Sequence, residues 1–79
     1  MLEGLRRAIA SHDAKGVEHL AHTLMGSSAN LGALAVSQAA GEIERLSRAG
    51  SVENTGDQFK VLQYEIERLF SELAVLSAS

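Results

Sequence analysis

The sequence predicts an all-α fold, an up-and-down antiparallel four-helix bundle, on three observations. Proline is absent, so no residue forces a helix to stop. Leu, Ala, Glu and Arg dominate the chain, and all are strong helix formers. Apolar residues recur at spacings of three and four, the helical period, with short polar or glycine-containing breaks between the periodic stretches. A chain of 79 residues allows one domain. With two Phe, one Tyr and no Trp, its core has to come from Leu, Ile, Val and Ala.

The first helix, about residues 2–11, carries Leu2, Leu5 and Ile9 on one stripe. Ser11, His12 and Asp13 interrupt it, and Asp13 is a good N-cap for a second helix over about 14–30. Gly32 suits the left-handed position that ends such a helix. The third helix, about 34–48, presents Val36, Ala39, Ala40, Ile43 and Leu46, and Gly50 closes it. The segment "SVENTGD" reads as a loop or frayed lead-in. In the fourth helix, about 57–76, Phe59, Leu62, Ile66, Leu69, Leu73 and Leu76 form a heptad seam, and the trailing "SAS" reads as loose. Short connections favour antiparallel neighbours. The first helix is short beside the others, as if truncated from a longer one. It is expected to leave part of the seam uncovered, making the chain marginally stable or prone to self-association.

Composition narrows the function. A net charge of −3 is mildly acidic and argues against nucleic acid, which needs a basic stripe. The absence of cysteine excludes disulfides and thiolate metal sites and fits a reducing compartment. No apolar run approaches the roughly 20 residues of a membrane span, so no membrane contact by this domain is expected. The start of the chain is too short and too charged for a signal peptide. The expected location is the cytoplasm, with attachment to a membrane-anchored protein left open.

One stretch asks for chemistry: "AHTLMGSSANLGA", residues 21–33. At about 100° per residue, Val17, Leu20, Ala21, Ser28 and Leu31 fall on the face centred on Leu24. His22 falls on the opposite side, with Lys15, Gly26 and Ala29. Gly26 lies one turn beyond the histidine on that outward face, and mid-helix glycine costs about 1 kcal/mol relative to Ala. Removing the side chain there clears the surface beside the imidazole. An exposed helical histidine is usually only a solvated residue, and Gly26, Ser27 and Ser28 taken singly would be unremarkable. Together they suggest a surface on which a partner approaches the ring.

"HTLMGSSANLG", His22 to Gly32, resembles the H-x-L-K-G-S-S-x-x-L-G signature of histidine-containing phosphotransfer domains, departing from it only at Met25. "HDAKGVEHL" before it and "GEIERLSRAG" after it are also similar to that family's flanking segments. The resemblance implies a four-helix bundle in which His22 accepts a phosphoryl group from the aspartate of a response-regulator receiver domain and relays it to another receiver. The domain would have no cofactor and no catalytic machinery of its own. Aspartate, Mg²⁺ and a lysine would come from the receiver, and the chain could form part of a hybrid sensor histidine kinase. Gly26, Ser27, Ala29 and Gly32 would belong to the docking surface. Met25 stands where the family usually has a phosphoryl-attracting lysine, so either the phosphohistidine is less well stabilised or another cation, with Arg48 and Lys15 the candidates, substitutes. Glu44 stands where some members have glutamine, adding negative charge.

Competing readings are weaker. His19 and His22 make an H-x-x-H pair, but no third ligand accompanies them, so no metal is expected. His12 sits in a turn. A sensor-kinase dimerisation helix would carry an acidic residue after the histidine and a proline beyond it; here Thr23 follows and proline is absent. The alternative of substance is a helical interaction module that keeps the fold without phosphotransfer, favoured by Met25.

Overall fold

A computed structural model describes residues 2–78. Four helices follow one another: α1 (Leu2–Ala10), α2 (Ala14–Asn30), α3 (Leu34–Arg48) and α4 (Thr55–Ala78), with a 3₁₀ turn at Val52–Asn54 before the last. The expected lead-in at 51–57 is therefore ordered: a 3₁₀ turn followed directly by the first turn of α4. The buried Thr55 hydroxyl donates to the Val52 carbonyl at 2.6 Å and joins the two. Of the "SAS" tail, α4 takes in Ser77 and Ala78, and Ser79 lies outside the described residues.

All three tight turns share one hydrogen-bond pattern. After α2, the Ala33 N–H donates to the Ser28 carbonyl and the Gly32 N–H to that of Ala29, with Gly32 at φ +77°. After α3, the Ser51 N–H reaches Leu46 and the Gly50 N–H reaches Ser47, with Gly50 at φ +84°. These paired bonds satisfy last-turn carbonyls and need a left-handed residue. After α1 the same pair runs from Asp13 to Ala8 and from His12 to Ile9, and there the left-handed residue is His12, at φ +56°. A side chain in that region costs about 1–2 kcal/mol. His12→Gly is therefore expected to stabilise the fold by about 1 kcal/mol, read as a higher urea midpoint at unchanged slope. Asp13 then caps α2 as expected, its Oδ1 accepting from the Gly16 N–H at 3.1 Å.

Each helix packs antiparallel to the next, and α2 against α3 is the most extensive contact. The Ser47 hydroxyl donates to the Ala14 carbonyl at 2.6 Å and that of Ser37 to the Met25 carbonyl at 3.0 Å, two pins that fix the α2–α3 register. The core joins Leu5, Val17, Ala21, Ala40, Ile43 and Leu62, all fully buried. On the surface, Arg6 hydrogen-bonds Glu3 and Arg45 hydrogen-bonds Glu42, holding both carboxyls below the usual glutamate range.

Burial fails at one end of the bundle. Helix α1 has nine residues against seventeen in α2, and its Gly4 already stands level with Leu20. The half of α2 beyond that level has no α1 beside it. Leu24, placed by the helical wheel at the centre of the buried face, is consequently only half-buried. Leu31, assigned to the same face, is 82% exposed because the helix has already ended at Asn30. The α4 seam decays along its length: Phe59 and Leu62 are buried, Ile66 and Leu69 half-buried, Leu73 and Leu76 exposed. Among the described residues no helix is long and apolar enough to cross a membrane.

Candidate functional site

The α2–α3 register brings the middle of α2 against the second half of α3. His22 points outward with its side chain 65% exposed, as the wheel predicts. Its Nδ1 stands 2.8 Å from Glu44 Oε2. Glu44 is buried, and the same oxygen accepts from Arg48 Nη2 at 2.8 Å. Arg48 also turns its Nε toward Glu18 Oε1 at 3.4 Å. A carboxylate oxygen that accepts from a guanidinium has no proton to offer, so the ring must donate from Nδ1. In the neutral ring that arrangement leaves Nε2 as the lone-pair nitrogen, on a side chain 65% exposed.

Lys15, Glu18, His19, His22, Glu44 and Arg48 line one shallow concavity between the first half of α2 and the last turns of α3. Both cations named from the sequence, Lys15 and Arg48, are therefore on its wall. Met25 is not. It lies half-buried over α3, its Sδ 3.1 Å from where a Cβ on Gly41 would stand, so Gly41 leaves the space that Met25 fills. Position 25 serves packing in this chain, and the neutral side chain at the usual lysine position does not empty the concavity of positive charge.

Gly26, Ser27 and Ala29 are all exposed, whereas Ser28 is buried against the core. A Cβ built on Gly26 would meet nothing within 4 Å. The packing of the bundle therefore does not require glycine there. Gly32 sits at the far end of α2 in the capping turn and does not join the concavity.

The sequence reading placed Glu44 nearby as added charge and missed its bond to the imidazole and its shared oxygen with Arg48. The signal was present in the antiparallel register, since 22 and 44 become neighbours once α2 and α3 are paired through Ser37 and Ser47. Among the described residues no three His, Cys, Asp or Glu side chains are grouped to hold a metal ion.

The fold and site thus combine a helical bundle with an outward histidine held at its Nδ1 by a buried carboxylate. The Hpt domain family matches residues 1–72, and the chain belongs to that family. Its role is histidine phosphotransfer in two-component phosphorelays, in contact with receiver domains. No curated protein matches the chain significantly, and neither does any solved structure.

Proposed function

We propose that His22 accepts a phosphoryl group from an aspartyl phosphate on a receiver domain and passes it to a second receiver. The observation that carries this reading is the Nδ1–Glu44 bond on a histidine whose side chain is 65% exposed. The Nε2 lone pair forms the N–P bond while the P–O bond to the aspartyl carboxylate breaks, its electron pair leaving on that carboxylate. Nδ1 keeps its proton, so the ring gains positive charge, and Glu44 faces that charge. A phosphorylated ring still protonated at Nδ1 departs as neutral imidazole rather than as an anion, which keeps it able to hand the group on. The receiver brings the aspartate, Mg²⁺ and lysine; this chain brings the nucleophile and a surface for docking.

Incubating the chain with a phosphorylated receiver tests this directly. Acid-labile, base-stable phosphate on the chain is the expected result, and docking without transfer would favour an interaction module. The docking surface centres on Gly26 and Ala29, continuing to Lys15 and Glu18 on α2 and Gln38 on α3. Gly26→Gln, bulky but solvent-facing, should slow transfer by about tenfold or more while leaving the unfolding midpoint within about 0.5 kcal/mol of the original.

The exposed Leu31, Leu34, Leu73 and Leu76 support self-association at the end that α1 does not reach. Sedimentation equilibrium should then show a concentration-dependent dimer that Leu73→Lys with Leu76→Lys abolishes. A monomer at all concentrations would sink this part of the reading.

A further inference from the structure

With Met25 committed to Gly41, the phosphoryl group on Nε2 must find its cation elsewhere. Arg48 is anchored unequally. Its bond to Glu44, at 2.8 Å, neutralises a carboxylate whose side chain is 9% exposed, and breaking it would strand a buried charge. Its contact with Glu18 is 3.4 Å long on a carboxylate 38% exposed, a pair of the kind worth little. The guanidinium carries five donors in a planar fork, so it can keep Nη2 on Glu44 and free Nε for another anion. A phosphoryl group brings up to about two negative charges and accepts from arginine more strongly than a solvated carboxylate does. Glu18, His22, Glu44 and Arg48 line the same concavity.

We infer that Arg48 exchanges Glu18 for the phosphoryl group of phosphorylated His22, so that Glu18 is a built-in competitor limiting the lifetime of the phosphohistidine. This rests on the reading of His22 as the acceptor. A guanidinium on those oxygens balances the charge of the resting phosphohistidine, which lengthens its lifetime. Glu18 draws the cation away and shortens the lifetime. Arg48 and Glu18 are positioning residues in this scheme, whereas the reacting atom is His22 Nε2.

The test uses phosphoramidate as donor: its P–N bond breaks, ammonia leaves, and the N–P bond forms on the imidazole. The lifetime of the His22 signal is then followed by ³¹P NMR. Glu18→Gln should lengthen it about two- to fivefold, the range of one exposed ion pair. Arg48→Met should shorten it by a similar factor, and Glu18→Gln should have no effect in the Arg48→Met background. Unchanged lifetime in Glu18→Gln, or a gain that survives removal of Arg48, overturns the exchange. So does a shortened lifetime in Lys15→Met alongside an unchanged one in Arg48→Met. Receiver transfer to the unaltered chain, measured separately, keeps the two readings apart. Shifted lifetimes without receiver transfer sink only the phosphorelay function, and transfer with unshifted lifetimes sinks only the exchange.

Discussion

A His22→Gln variant is expected to keep its helical content and to take up no phosphoryl group from a phosphorylated receiver. Stability should barely change, because the side chain is 65% exposed and its one structural bond, to Glu44, runs to an oxygen that Arg48 also satisfies. Glutamine retains an N–H donor for that oxygen, so the buried carboxylate is not stranded. What disappears is the nucleophilic nitrogen, and nothing nearby replaces it. His19 lines the same concavity but has no carboxylate bonded to its ring among the described residues, and His12 is committed to the left-handed turn. Circular dichroism and a phosphate count on the same sample read both halves of this outcome. Label persisting at the original level would move the acceptor to another residue.

Ile43→Ala should have the largest effect on folding. Ile43 is fully buried at the middle of α3, in the cluster with Leu5, Val17 and Leu62, where all four helices meet. Removing that much buried side chain costs about 2–5 kcal/mol, depending on how far the site collapses. A domain of this length holds on the order of 4–12 kcal/mol in total, so the loss is a large share. The melting temperature should fall by about 10 °C or more. An equivalent truncation at Leu73, 48% exposed, should fall by far less, and equal effects at the two positions would contradict the decay of the α4 seam.

The decay of burial along the α4 seam marks what periodicity can and cannot reveal. Spacing located the seam and its face, because the helical period depends only on the residues of α4. Whether Leu73 and Leu76 are buried depends on the reach of another helix, and α1 stops short of them. Asp13, Gly32 and Gly50 were legible as caps because each acts on backbone within a few residues. His12 was not, since its left-handed backbone follows from the hydrogen bonds of its neighbours rather than from any preference of histidine. At the site, the outward face of His22 and the clearing at Gly26 could be read from one helix. The Glu44–Arg48–Glu18 chain could not, because it spans two helices and depends on a register set by Ser37 and Ser47. Met25 looked like a defect in a phosphate site until Gly41 showed where it packs.

We propose that Glu44, by holding Nδ1, directs the phosphoryl group to Nε2 of His22. Transfer from a phosphorylated receiver to chain carrying ¹⁵N-labelled histidine, followed by ³¹P and ¹⁵N NMR, tests it most directly. One phosphorus signal coupled to Nε2 of His22 is expected, with Nδ1 still protonated. Phosphate on Nδ1 of that ring, or on His12 or His19, would contradict it.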